Sequence, residues 1–374
     1  MSLQIAQLEW TLDLGLHGGA ETFFADINAD GRLEMITYQG PGIFGARAFC
    51  EQPKIKPFLP RHTAVSAFDM TGRILWTWGE PQASDRPYLS HGNEACVSVG
   101  DVDGDGRPEV VVALGDAVTV LDGVSGRERR SGSLPEDYFY IVHALDAPTG
   151  MREAAIVIKN SEAGYHGAPH GQPVMGLNRA LELVWGPKTV PGGGHHILTV
   201  PMPDGRPGYW IGYCAVRPDG TIAWMADAIV PENLDARLQH VDYTDHWRAA
   251  AGRNIFAMAA GTPHGYVVAD GGGTIFRVED EHVQGVAGGR FVAGDDDAGD
   301  NRQVAFYNCH GDTAISLYDL RGKRLWRRKV ARRHWDMSLM DLSMPDGTIR
   351  RFHRSRPKAV IYNRRYVWGY DVLF

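Results

Sequence analysis

Three segments of this chain repeat one design, an alternating apolar strand, an Asp/Gly turn, and a second strand closed by tryptophan. They are Ala67–Trp76 (AFDMTGRILW), Val216–Trp224 (VRPDGTIAW) and Leu317–Trp326 (LYDLRGKRLW). Weaker copies end at Trp185 and Phe276, and a version without the aromatic spans Val120–Gly126. Alternating runs joined through Asp/Gly are tight hairpins. One hairpin cannot bury its own apolar face, so hairpins recurring through a chain must stack on one another.

A second motif precedes the hairpin twice. Asp101, Asp103, Asp105 and Glu109 stand at relative positions 1, 3, 5 and 9 of DVDGDGRPE, and Asp26, Asn28, Asp30 and Glu34 repeat that spacing. A hard cation takes six to eight oxygens, and a glycine after the third ligand turns the chain so that a carbonyl, here of Arg32 or Arg107, can join. The last acid comes earlier than in an EF-hand and a β-branched run follows, so each loop joins two strands. A third loop, Asp295–Gln303, has lost an acidic ligand and carries Gln303 where glutamate is expected. The two intact loops are read as structural Ca²⁺ sites.

Repeats of roughly 40 to 55 residues with four short strands each predict propeller blades. Seven starts are read, near His17, His91, Tyr140, His195, His240, His282 and His334. The last lacks its outer strand, and Leu8–Gly15 at the N-terminus resembles the missing piece. The expectation is an all-β, single-domain, seven-bladed β-propeller over 1–374, its N-terminal strand completing the C-terminal blade and hiding both sheet edges. An irregular all-β sandwich is the alternative.

Bulk properties narrow the function. With 45 glycines and 44% hydrophobic residues the chain favours turns and a large core. A net charge of −7 argues against nucleic acid, and no apolar run is long enough for a bilayer. Cys50, Cys96, Cys214 and Cys309 lack metal or disulfide spacing and read as buried thiols. Met1–Gln4 does not read as a leader, so a cytoplasmic monomer is expected, with an extracellular or periplasmic location requiring a removed leader.

Strand order assigns faces. With the first strand of a blade running away from its histidine, the calcium loops and Asp/Gly turns share one end, and the Asp245–Arg248 run falls with them. The opposite end carries the blade-opening histidines and the connections holding Tyr38, Lys159, Tyr165, His166, Tyr213, His264, His310 and Arg364. Only one of His195 and His196 can face inward, since adjacent strand residues point opposite ways. Lys159, Arg332, Arg333, Arg364 and Arg365 at this mouth, in an acidic protein, predict an anionic ligand. The plainer reading of each histidine is a hydrogen bond to a neighbouring turn.

The run GDVDGDGRPEVVV, followed by VLDGVSG, FDMTGRILWTW and LYDLRGKRLW, resembles FG-GAP or VCBS propeller repeats, and is similar to the propeller of rhamnogalacturonan lyases. That resemblance, and a likeness to other propeller polysaccharide lyases, implies β-elimination on a uronate-containing oligo- or polysaccharide. A cation, from Lys159, Arg364 or a divalent metal held at the histidine-rich mouth, would neutralise the uronate carboxylate. His91, His195, His240 or His334 could take the C5 proton, and Tyr38, Tyr140 or Tyr213 could protonate the leaving oxygen. His17, Tyr165, His166, Tyr213, His264, His310, Arg333, Trp335 and Arg364 are the expected substrate contacts. A glycoside hydrolase, or a propeller that binds carbohydrate or protein without catalysis, are the alternatives.

Overall fold

A computed structural model describes residues 7–17, 21–39, 64–81, 96–114, 116–136, 139–147, 149–160, 171–227, 240–249, 252–260, 264–279, 283–289, 302–308, 314–329, 358–362 and 366–371. After β1 (Gln7–Asp13), the strands β2 (Glu21–Ala25), β3 (Glu34–Gln39), β4 (Ala64–Phe68) and β5 (Ile74–Gly79) form an antiparallel sheet in chain order. The pattern repeats with β6 (Val97–Gly100), β7 (Glu109–Leu114), β8 (Ala117–Asp122) and β9 (Glu128–Ser133), then with β10 (Phe139–Ala144), β11 (Ile156–Asn160), β12 (Val174–Leu177) and β13 (Leu183–Lys188).

Three further sheets keep the same order. They hold β14 (Ile197–Pro201), β15 (Pro207–Ile211), β16 (Cys214–Val216) and β17 (Ile222–Met225); β18 (Tyr243–Arg248), β19 (Asn254–Ala259), β20 (His264–Ala269) and β21 (Thr274–Glu279); and β22 (Val283–Gly289), β23 (Gln303–Asn308), β24 (Ala314–Asp319) and β25 (Arg324–Lys329). The last sheet joins β26 (Lys358–Tyr362) to β27 (Tyr366–Asp371), and the N-terminal β1 pairs with β27 from Gln7↔Asp371 to Asp13↔Tyr366. Six four-stranded antiparallel sheets and this three-stranded one make an all-β chain consistent with a β-propeller. The closing N-terminal strand lies where its sequence placed it.

The residue pattern explains the layering. The second strands β3 and β11 are buried along their whole length, polar residues included, whereas the outer β5 and β13 each bury only their tryptophan, Trp76 and Trp185. The chain divides into two units, one of Met1–Thr189, Pro218–Gly220 and Thr348–Leu373, the other of Val190–Arg217, Thr221–Gly347 and Phe374. In the first unit the tryptophans that close the hairpins tie sheets together: Trp76 Nε1 donates to Gly123 O at 2.8 Å and Trp185 Nε1 to Pro218 O at 3.0 Å. In the second, Trp210 is buried and stacks on Phe256 with ring centroids 4.6 Å apart. Cys96 and Cys214 are buried, as expected. Among the described residues no helix is long and apolar enough to cross a membrane.

His143 on β10 is half-buried, and burial holds its imidazole down to about 4. The unfolded chain, with an ordinary imidazole near 6.5, then takes up the proton first as pH falls. Its contribution to stability is complete above about 6.5 and lost progressively toward pH 4. Urea midpoints of a His143→Gln variant should therefore differ less between neutral and mildly acid buffer than those of the parent; an equal difference would remove His143 as a source of acid sensitivity.

Candidate metal centre

The second unit brings together His195, His240 and Asp242. A turn at Pro191–Gly194 carries the chain against the segment entering β18, where His195 N–H donates to Val241 O at 3.0 Å and Val241 N–H to Gly192 O at 3.1 Å. Asp242 N–H donates to Ala259 O at 2.8 Å, fixing that segment to β19. Residues two apart in extended chain share a side, so His240 and Asp242 project together. His240 Nε2 lies 3.0 Å and His195 Nε2 3.4 Å from Asp242 Oδ1, and the two imidazoles meet edge to face at 5.0 Å. Exposure is 7% for His195, 8% for His240 and 4% for Asp242.

One donor atom from each residue falls within 4.8 Å of the others. Two imidazoles and a carboxylate suit a divalent cation of borderline softness. Bonds of about 2.0–2.1 Å in a tetrahedral site set neighbouring donors about 3.3 Å apart, and the two separations to Asp242 bracket that spacing. The donor set therefore fits a metal. Nearby Tyr213 is buried; burial first, then Tyr266 and Asp242, pushes its phenol above the ordinary range, so it stays protonated. His196 points elsewhere, its ring 4.5 Å from that of Tyr243.

Other predicted residues are placed differently. His17 sits in the turn before β2, where its Nδ1 bonds Ser66 Oγ at 2.9 Å and burial lowers its pKa, the plainer reading of a blade-opening histidine. Tyr38 and Lys159 were expected in connections but lie inside β3 and β11, because both strands run on further than their apolar runs suggest; each is buried. Tyr140 and His264 fall in β10 and β20, with side chains outside the described residues. His91, Tyr165, His166, His310, Arg333, His334, Trp335 and Arg364 lie outside the described residues, as do most of the Asp295–Gln303 loop and the start at His282. Asp242 was missed, although a His-x-Asp spacing entering a strand was its signal.

The two acidic loops connect β2 to β3 and β6 to β7. Asp26 accepts the amides of Asp30 and Gly31 at 3.0 and 2.8 Å, and Asp101 those of Gly104, Asp105 and Gly106 at 2.8, 3.0 and 2.9 Å. Arg32 and Arg107 donate their own amides to Asp30 and Asp105 at 2.8 and 2.9 Å. Glu34 Oε2 and Glu109 Oε2 each accept the amide of the loop's second residue at 3.0 Å. Burial, with Asp103 adding to it, pushes Glu109 up to about 7. In the second sheet the loop and the Asp122 turn share one end, since Arg129 bonds both Asp122 and Glu109, each at 2.7 Å. The Asp245–Arg248 run forms β18 up to its end, with Asp245 Oδ2 accepting Gly288 N–H at 2.6 Å and Trp247 buried.

Sheets of this form define the class, an all-β architecture of propeller type. No family model and no curated protein matches the chain. Among solved structures it is similar to BBS1N in complex with ARL6DN, at 9% identity over 99% of this chain and 97% of that chain, with a TM-score of 0.49. It is also similar to BamB from Moraxella catarrhalis, at 13% identity over 98% of each chain, with a TM-score of 0.41. Both neighbours are β-propellers, and at these identities nothing about activity carries over.

Proposed function

We propose that the chain is a seven-bladed β-propeller of the FG-GAP or VCBS kind that binds a divalent cation at His195, His240 and Asp242 and acts there on a uronate-bearing oligo- or polysaccharide by β-elimination. The observation that supports this reading is the meeting of two imidazole nitrogens on one buried carboxylate oxygen. When bound, the cation supplies the positive charge that neutralises the uronate carboxylate, without which the C5 proton is scarcely acidic. His195, His240 and Asp242 hold and orient. The C5 proton would pass to His91 or His334, and the departing glycosidic oxygen would take a proton from Tyr140, the base and acid candidates that the metal and burial leave free for those roles.

The loop Asp26–Glu34 is assigned a structural Ca²⁺, with Asp26, Asn28, Asp30 and Glu34 as oxygen donors. A propeller that binds the same anionic sugar without cleaving it is the second reading, favoured by the burial of Lys159, Tyr38 and Tyr213, which keeps them from touching substrate. The deciding experiment offers rhamnogalacturonan, pectic oligomers and ulvan to the protein before and after chelation. An ultraviolet band of unsaturated uronate that disappears on chelation and returns with Mn²⁺ or Zn²⁺ is expected. Metal-dependent binding without the band would establish the second reading, and new reducing ends without it would mean hydrolysis.

A further inference from the structure

Each four-stranded sheet carries the same irregularity in its last hairpin. The register slips by one residue beside the Asp/Gly or equivalent turn, leaving one residue of the outer strand without an opposite number. That bulged residue is Leu75, Arg129, Val184, Ala223, Ile275 and Leu325 in the six sheets in turn. Five are apolar. The one arginine stands in the sheet whose preceding loop has the full Asp/Asp/Asp/Glu set. The next residue differs there as well: it is Trp76, Trp185, Trp224, Phe276 or Trp326 elsewhere and Arg130 in this sheet.

A bulge re-aims its side chain, and Arg129 is aimed into the loop. Its Nη1 lies 2.7 Å from Glu109 Oε1, 3.1 Å from Asp103 Oδ2 and 3.5 Å from Asp105 Oδ2, while Nη2 lies 2.7 Å from Asp122 Oδ2. Arg130 adds a contact of 3.2 Å to Asp103 and donates to Arg179 O in the next sheet's turn, doing there what Trp76 and Trp185 do through their indoles. At the matching bulge beside the first loop, Leu75 is half-buried against the apolar core and carries no charge.

We infer that Arg129 takes the place of calcium in the Asp101–Glu109 loop, so that this loop, though closer to the expected motif, holds its shape without the ion, while Asp26–Glu34 depends on it. The guanidinium of Arg129 on Asp103 and Glu109, together with that of Arg130 on Asp103, brings the two positive charges that a divalent cation would otherwise bring, and engages two of the carboxylates the ion would need. Asp101, Asp103 and Glu109 each bring an oxygen within 4.8 Å of the others, as a metal requires, but Arg129 already bonds two of those three residues. This goes beyond the proposed activity and does not rest on it.

Equilibrium dialysis with radioactive Ca²⁺ on the full chain tests it through differences in bound equivalents, which cancel any other site. Asp26→Asn should lower the count by one, Asp101→Asn, the same change at the same loop position, should leave it unchanged, and Arg129→Leu, which copies the first loop's bulge, should raise it by one. A count that falls by one in Asp101→Asn overturns the inference, as does a folded Arg129→Leu protein that binds no more Ca²⁺ than the parent. Should Arg129→Leu fail to fold, Asp101→Asn decides alone.

Discussion

Asp242→Asn is expected to weaken divalent-metal retention by more than about 100-fold and to take sugar turnover down with it, while the unfolding midpoint of the metal-free protein moves little. The amide fills the same buried volume, and its oxygen can still accept a hydrogen bond from His240 Nε2, now 3.0 Å from the carboxylate. Losing part of one such bond costs about 1 kcal/mol, and removing a buried negative charge offsets some of that. Metal binding has no such compensation, because a neutral carbonyl replaces an anionic ligand. A cluster that serves only folding would behave in the opposite sense, with the midpoint falling and metal content unchanged. Metal analysis after dialysis, set beside thermal unfolding in chelator, separates the two.

The repeat was legible because its chemistry is local. Asp/Gly turns and closing aromatics name a hairpin from its own residues, and the pairing of β1 with β27 follows from a hairpin that lacks its outer strand. The loop turns were legible for the same reason: their aspartates accept amides two to five residues on, and Glu34 and Glu109 accept amides seven residues back. What stayed hidden depends on register between strands. Nothing in LDGVSGRERR says that Arg129 falls at a bulge, and only the pairing of Leu121 with Glu128 and Val120 with Arg130 reveals it. Tyr38 and Lys159 looked like connection residues because each borders a polar stretch, yet the ladder continues through both. His17 shows the converse case, an attractive imidazole already engaged by Ser66 and Thr77.

Gly194→Ala should cost about 3 kcal/mol of stability and scatter the metal centre at the same time. An added Cβ would stand 1.9 Å from Val241 O, 2.8 Å from its carbonyl carbon and 2.9 Å from its nitrogen. All three are backbone atoms and cannot rotate aside. Relief requires the Gly192–His195 stretch to draw away from Val241, breaking the paired amide bonds of 3.0 and 3.1 Å that carry His195 to Asp242. Two such bonds are together worth about 2 kcal/mol, and the left-handed backbone at φ +58° adds about 1 kcal/mol for a residue with a side chain. Gly205→Ala supplies the control. Its φ of +80° carries the same backbone penalty, but nothing lies within 4 Å of the added carbon, so it should lose only about 1 kcal/mol and keep its metal. Denaturant midpoints and metal content measured on both variants decide the matter: equal losses in the two would mean that the contact between Gly194 and Val241 does not position His195.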